Sequence, residues 1–290
     1  MTQVNQQIKT ECFELVKESI SEQYIKILAN STEKGKTDVS VIVPTFNERE
    51  NILLLCEKLG AVLDNVDYEI VIVDDNSPDG TAETAVHLAS KFQLKIIKRF
   101  GFSGLGSAVV EGFKQAEGKF VGVIDADFQH PPEILEDLVA ALQDGADIAV
   151  ASRNIKGGGV DNWSFSRKLI SKGATLMARP LVDVKDPMSG CFMLKKEILQ
   201  DVSLDCLGYK ILLEILTKVN GVKTIEVPYI FRSRQNGNSK LNYAEYFRYL
   251  LLLGKLYLSK IRTRRSIRMS SVNWSESGPE MESFEAVDRS

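Results

Sequence analysis

The chain has 290 residues, of which 44% are hydrophobic, 26% charged and 8% aromatic, a composition that excludes collagen-like and wholly disordered proteins and fits a folded globular one. Its 36 Lys and Arg against 39 Asp and Glu leave a net charge of -3, so no nucleic-acid partner is expected for the chain as a whole. The cysteines Cys12, Cys56, Cys191 and Cys206 are widely spaced without a C-x-x-C pair, which argues against a zinc site or a disulfide scaffold and for a reducing compartment.

Met1 begins a polar, mixed-charge segment, so no signal peptide is expected. Ile8, Cys12, Leu15, Val16, Ile20, Tyr24, Ile27 and Leu28 recur at helical spacing and predict an amphipathic helix, followed by a polar linker from Asn30 to Asp38. From Val39 an alternation begins. Apolar runs at Val39 to Val43, Glu69 to Val73, Leu94 to Ile97, Lys119 to Ile124 and Asp147 to Val150 read as strands. Helical patterns over Glu48 to Leu63, Asp79 to Phe92, Gly104 to Glu117 and Pro132 to Gln143 lie between them. This order predicts an α/β fold with an open, mostly parallel sheet flanked by helices. Apolar runs such as Tyr249 to Leu253 are far shorter than the roughly 20 residues a bilayer span needs.

Open sheets of this kind bind ligands outside the carboxyl ends of their strands. There the chain places Pro44-Thr45-Phe46-Asn47-Glu48, then Asp74-Asp75-Asn76-Ser77-Pro78-Asp79-Gly80, then Asp125-Ala126-Asp127-Phe128-Gln129. No G-x-G-x-x-G or G-x-x-x-x-G-K-[ST] follows these strands, which argues against a dinucleotide-dependent dehydrogenase and a P-loop NTPase. Asp125 and Asp127 at i and i+2 can reach one cation, with Gln129 as a third oxygen ligand, and such sparse oxygen ligation suits Mg²⁺ or Mn²⁺ bound together with a phosphate. An isolated D-x-D more often caps a helix. Three successive strands delivering carboxylates to one edge, where like charges are costly without a cation, favour a metal-nucleotide site.

The strings at 41 to 51 (Val-Ile-Val-Pro-Thr-Phe-Asn-Glu-Arg-Glu-Asn), 73 to 81 (Val-Asp-Asp-Asn-Ser-Pro-Asp-Gly-Thr), 125 to 133 (Asp-Ala-Asp-Phe-Gln-His-Pro-Pro-Glu), 186 to 190 (Asp-Pro-Met-Ser-Gly) and 239 to 241 (Ser-Lys-Leu) resemble those of the dolichol-phosphate mannosyltransferases. These are family 2 inverting glycosyltransferases with the Rossmann-like GT-A fold. The resemblance implies that Pro44, Phe46, Glu48 and Asp75 line the nucleotide pocket, that Ala126 is among the substrate-binding residues, and that Asp125, Asp127 and Gln129 hold Mg²⁺ or Mn²⁺ on the donor diphosphate. It further implies that Arg153, Arg167 and Ser171 bind the acceptor phosphate and that Arg234 and Lys240 close over the donor, with Asp127, Arg153 and Arg167 nearest the chemistry. Phe46 stands where relatives usually carry Tyr. Phe102-Ser103 precede Gly104-Leu105-Gly106 where relatives carry Lys, which leaves a cationic role there to Lys98 or Arg99.

The implied reaction moves mannose from GDP-mannose to dolichyl or another polyprenyl phosphate. A phosphate monoester is already a nucleophile at neutral pH, so no carboxylate is needed to take a hydroxyl proton. The rival readings are a dolichyl-phosphate glucosyltransferase using UDP-glucose and a non-catalytic sugar-nucleotide-binding subunit. His130 reads as a supporting or helix-capping residue rather than a base, and Cys191 as a buried small side chain.

The domain expectation is an N-terminal helical extension and linker (1–37), a GT-A domain (38–240), an amphipathic membrane-proximal helix with a basic run (241–268) and a disordered acidic tail (269–290). Tyr243, Tyr246, Phe247, Leu250, Leu251, Tyr257, Leu258 and Ile261 recur at helical spacing, with Leu252 off the pattern. Lys260, Arg262, Arg264, Arg265 and Arg268 form the basic run. The stripe either lies on a membrane surface or packs on the catalytic domain or a small membrane partner subunit. An insoluble acceptor places the protein peripherally on the cytoplasmic face of a membrane.

Overall fold

The computed structural model describes residues 25–30 (backbone), 37–101, 104–200, 202–204, 210–234 and 247–261. The strands are β1 (Ile25–Asn30), β2 (Val39–Thr45), β3 (Tyr68–Asp74), β4 (Leu94–Arg99), β5 (Phe120–Val123), β6 (Ile148–Ser152), β7 (Gly159–Val160), β8 (Phe192–Lys195), β9 (Thr224–Pro228) and β10 (Ile230–Phe231). The helices are α1 (Arg49–Val62), α2 (Thr81–Leu88), α3 (Leu105–Gln115), α4 (Ile134–Gln143), α5 (Phe165–Ala178), α6 (Ile211–Lys218) and α7 (247–261).

Eight strands make one sheet in the order β1-β4-β3-β2-β5-β8-β6-β9. The neighbours β4, β3, β2 and β5 run parallel, as do β6 and β9, while β8 runs antiparallel to both β5 and β6. The order reverses at β2: the chain builds outward through β3 and β4, then returns to β2's other side with β5. Such a reversal opens a crevice at the strand ends, where α/β sheets hold ligands.

Both faces of the sheet are covered, which explains the continuous apolar runs of its central strands. All seven residues of β2 are buried. Val39, Val41, Val43, Ile70 and Ile72 pack on one face with Ile52, Leu55 and Leu59 of α1 and Leu135, Leu138 and Leu142 of α4. Ile42, Val71 and Val73 pack on the other with Ala108, Val109 and Phe113 of α3 and with Ile211, Leu212 and Ile215 of α6. The alternation of successive strand residues between these clusters is the period of two expected of a strand.

Two differences from the sequence expectations stand out. The amphipathic helix was expected to run to Leu28, but residues 25–30 are a strand that pairs antiparallel with β4, Ile27 opposite Ile97 and Asn30 opposite Lys95. The unpaired edge of β4 offers backbone partners that a helix over these residues could not use, and that overrides local periodicity. The rest of that expected helix, residues 8–24, lies outside the described residues, as do Cys12, Cys206, Arg262 to Arg268 and the acidic tail. The second difference concerns α7. Its Tyr249, Leu252, Leu253 and Leu256 are buried against Ala178, Leu181, Met188 and Leu213, so Leu252 belongs to a core-facing stripe, while Phe247, Leu250, Leu251, Leu258 and Ile261 are exposed on another face.

One contact tests the seat of β2. Gly112 of α3 lies so close to β2 that a Cβ there would fall 2.4 Å from Ile42 Cγ2 and 2.8 Å from its Cγ1. Gly112→Ala gains about 1 kcal/mol of helix propensity, but overpacking a fully buried Ile costs about 1–3 kcal/mol. The expected outcome is a net loss of stability of about 1 kcal/mol, read as a lower midpoint in urea; an unchanged or raised midpoint contradicts this packing.

Candidate active site

Three loops meet at the crevice, and each turns through a left-handed residue: Asn47 after β2 (φ 55°), Asn76 after β3 (φ 53°) and Phe128 after β5 (φ 60°). Asn tolerates this conformation, whereas a bulky residue such as Phe128 is strained in it, and such strain persists only where the surroundings over-determine it. Asp74 ties the first two loops. Fully buried, it accepts hydrogen bonds from Thr45 Oγ1 (3.0 Å) and the Ser77 N–H (2.8 Å), and Ser77 Oγ in turn accepts from the Asn47 N–H (2.9 Å). Asp79 accepts from the N–H groups of Thr81 and Arg49, fastening the starts of α2 and α1 together.

Of the residues expected at the nucleotide pocket, Pro44 lies in β2, Phe46 sits 43% exposed at the rim, and Glu48 is buried and accepts from Asn51 Nδ2 (2.8 Å). Ala126 is buried. Asp75 is held in place: Arg99 Nε donates to its Oδ1 (2.7 Å), Arg99 Nη2 also reaches it, and the Gly104 N–H donates to Oδ2 (2.9 Å). Burial nevertheless raises the Asp75 carboxyl above its ordinary value. Arg99 is thus engaged with Asp75 and Lys98 with Glu83 (2.6 Å), which accounts for both cations left as candidates beside the Gly-Leu-Gly turn.

At the third loop, Asp127 Oδ1 accepts from the Gln129 N–H (3.0 Å) and Oδ2 forms an ion pair with Arg234 Nη2 (2.6 Å). Burial and the neighbouring Asp127 push the Asp125 carboxyl well above the usual carboxylate range, although its 29% exposed side chain lets water screen part of this. Asp127 is raised too, by burial first, against the pull of Arg234. Two carboxylates driven up in this way make a donor set short of positive charge, and the Arg234 guanidinium already stands against one of its oxygens. The set fits a hard divalent cation. The Gln129 amide donates to the Arg232 carbonyl at 3.5 Å, and the Gln129 carbonyl accepts from the Arg232 N–H at 2.9 Å, so the residues after β10 are fastened to this loop. Lys240 lies outside the described residues.

His130 is buried, its Nδ1 3.4 Å from Asp125 Oδ2, its ring stacked on Tyr229 (5.4 Å) and edge-on to Phe231 (5.2 Å). Burial first, and Arg153 next, push its pKa down to about 3, so it is neutral at working pH, and its Nδ1 makes no hydrogen bond among the described residues.

The arginines expected to bind the acceptor phosphate divide. Arg153, at the end of β6, gives its fork to fully buried Asp186: Nε and Nη2 donate to the two carboxylate oxygens at 2.7 Å each, and the Arg153 N–H adds a third bond at 2.9 Å. That leaves the Nη1 hydrogens and the outer Nη2 hydrogen for a phosphate. Arg167 and Ser171 sit four residues apart on α5, hence on one helix face, and Arg167 is exposed. In the sequence Asp186 is part of a motif and carries no role of its own. Its partner is 33 residues away, which local spacing does not reveal. Trp163, whose ring lies against both arginines, carries no periodic or motif signal in the sequence.

The Arg153–Asp186 pair carries a stability consequence. Arg153 and the hydrogen bonds it donates hold the Asp186 carboxyl below its ordinary value despite burial. A depressed carboxylate contributes stability above the unfolded pKa of about 4 and loses it as pH falls through the folded value. Asp186→Asn leaves a buried guanidinium half-paired and is expected to cost about 3–5 kcal/mol at pH 7, with the difference from the unaltered chain shrinking below about pH 4. Denaturant melts across pH check both; a pH-independent difference contradicts the assignment.

The glycosyl transferase family 2 model matches residues 40–203. The chain is 47% identical to a dolichol-phosphate mannosyltransferase of Pyrococcus furiosus over 82% of its own length and 68% of that protein's, and 39% identical to the one of Saccharomyces cerevisiae over 77% and 88%. Among solved structures, glucosyl-3-phosphoglycerate synthase from Mycobacterium tuberculosis, in complex with Mn²⁺, uridine-diphosphate and glucosyl-3-phosphoglycerate, superposes with a TM-score of 0.56 at 21% identity, covering 78% of this chain and 80% of that one. Mannosyl-3-phosphoglycerate synthase from Rubrobacter xylanophilus gives 0.58 at 18% identity, over 79% and 75%. These two likenesses establish the GT-A fold. With the sheet order, the carboxylate loops and the sequence identities all in agreement, the chain belongs to the dolichol-phosphate mannosyltransferases of glycosyl transferase family 2.

Proposed function

We propose that this glycosyltransferase moves mannose from GDP-mannose to dolichyl phosphate with inversion at C1. The observation that carries the reading is one sheet edge with two opposite charge sets: the raised carboxylates Asp125 and Asp127 after β5, and the arginines Arg153 and Arg167 after β6 and on α5. The first suits a metal-bound diphosphate, the second an acceptor phosphate. Asp125, Asp127 and Gln129 would hold Mg²⁺ or Mn²⁺, which when bound supplies Lewis-acid stabilisation of the leaving diphosphate.

The protein's own groups orient. Phe46 offers an exposed face at the nucleotide rim, Arg234 brings positive charge to the carboxylate loop, and Arg167 with Ser171 present donors to the acceptor phosphate. No proton need leave the nucleophile, which agrees with His130 being buried and neutral. Alignment of the phosphate oxygen opposite the departing group is the main catalytic contribution. Supplying dolichyl phosphate with labelled GDP-mannose, UDP-glucose and UDP-N-acetylglucosamine in turn tests the donor; label from a UDP-sugar alone in the lipid phase contradicts the reading.

The protein works peripherally on the cytoplasmic face of a membrane. Among the described residues no helix is long and apolar enough to cross one. Support comes from α5 and α7, which pack together through Tyr249, whose hydroxyl donates to the Ala174 carbonyl (2.6 Å), and Tyr257, whose hydroxyl donates to the Met177 carbonyl (2.8 Å). Phe165, Leu169, Ile170 and Leu176 of α5 are exposed, as are five apolar residues of α7. Lys260 is engaged with the Pro180 and Leu181 carbonyls (3.1 and 2.6 Å), so lipid contact falls to the arginines beyond it.

Asp127→Asn is expected to lower kcat/KM at least about a hundredfold and to abolish the rise in melting temperature that Mn²⁺ gives the unaltered chain; full activity in excess EDTA contradicts the metal assignment. Flotation with liposomes should need anionic lipid, weaken with salt, and fall when Arg262, Arg264, Arg265 and Arg268 are changed to Gln. Flotation indifferent to these changes contradicts the basic anchor, and none at all favours a partner subunit.

A further inference from the structure

Trp163 lies between β7 and α5, one residue before Ser164, whose hydroxyl accepts from the Arg167 N–H and caps the helix. Its place is fixed from the far side of the sequence. β7 pairs with β10, the Gly159 N–H donates to the Tyr229 carbonyl (3.0 Å) and the Asp161 N–H to the Phe231 carbonyl (2.8 Å). The Trp163 ring meets Phe231 edge to face, centroids 5.4 Å apart at 80°. Two guanidinium groups lie against that ring: Arg167 with its central carbon 4.1 Å from the centroid, and Arg153 at 5.8 Å, the latter also 5.4 Å from the Phe231 ring.

The two arginines differ in exposure. Arg153 is pinned by the bidentate bond to buried Asp186. Arg167 is exposed on the first turn of α5, and a long side chain there loses rotamer freedom when it is held in one place. A like charge nearby also favours its swinging away. The negative face of an indole attracts a guanidinium and opposes both effects.

We infer that Trp163 is a positioning residue for the acceptor site: its face holds the Arg167 guanidinium beside Arg153, so that both cations are in place before the phosphate arrives. This rests on the reading that Arg153 and Arg167 take the acceptor phosphate. Preorganisation of this kind lowers the ordering cost of binding one substrate and leaves the other untouched.

The test measures kcat, KM for dolichyl phosphate, KM for GDP-mannose and melting temperature in the full chain, for Trp163→Leu, Trp163→Phe, Arg167→Ala and the double variant Trp163→Leu/Arg167→Ala. Trp163→Phe keeps a ring face and removes an indole N–H that has no hydrogen-bond partner among the described residues. The expected result is that Trp163→Leu raises the acceptor KM roughly fivefold, about 1 kcal/mol at 1.4 kcal/mol per tenfold. The donor KM should stay within about twofold, Trp163→Phe should restore most of the loss, and the double variant should be no worse than Arg167→Ala alone. Additive losses, a parallel rise of both KM values, or Trp163→Phe behaving like Trp163→Leu overturns the inference. If Trp163→Leu does not fold, Trp163→Met, of similar reach and without a face, takes its place. Arg167→Ala without effect on the acceptor KM defeats the acceptor reading and this inference together; Arg167→Ala raising it while Trp163→Leu is silent defeats this inference alone.

Discussion

The buried bond between Arg153 and Asp186 joins segments 33 residues apart in the chain. Asp186 has no exposed surface and accepts three hydrogen bonds from Arg153, while its own N–H donates to Glu226 Oε1 (3.0 Å) in β9. Two carboxylates, Asp186 toward Arg153 and Glu226 toward the Asp186 N–H, thus tie the end of β6, the loop before β8 and the outer strand β9 into a single frame. Charges taken out of water repay their desolvation only when geometry and remaining hydrogen bonds are complete. Here both Asp186 oxygens are bonded by Arg153, and the Arg153 side chain, 10% exposed, becomes a fixed point against which Trp163 and Phe231 are placed.

The same frame explains how distant loops keep register. The stretch from Tyr229 to Arg234 touches both charge sets: Tyr229 and Phe231 meet His130, Phe231 meets Trp163 and Arg153, Arg232 is bonded to Gln129 in both directions, and Arg234 reaches Asp127. Six residues following one edge strand therefore measure the distance between the carboxylate loop and the arginines. The strained φ of Phe128 is understandable in that setting, because its buried ring is held by the core and its loop by Arg232.

What the sequence discloses follows from how each part is stabilised. β2, β3 and β5 are buried on both faces and announce themselves as apolar runs, and the residues after them are read directly from that position. α1 and α4 bury residues at spacings of three and four and are equally plain. α5 escapes because only Ala178 among its residues is fully buried, and its exposed Leu169, Ile170 and Leu176 disguise the core-facing period. β8 and β10 are four and two residues long, and β9 carries Glu226 in its centre, so none shows a pattern of its own. The fork of Arg153 and the ring beside Arg167 are tertiary facts. The resemblance pointed to the arginines, but only the folded chain shows what Arg153 and Arg167 lie against.

The strand at residues 25–30 has a consequence for the molecule's behaviour in solution. It lies at one end of the sheet and occupies backbone donors and acceptors of β4 that otherwise form a bare row. A bare row of that kind is a template for another chain's strand. Residues 25–30 cover that row and are themselves the outermost strand of the sheet among the described residues, so the edge open to such pairing lies on this segment and not on β4.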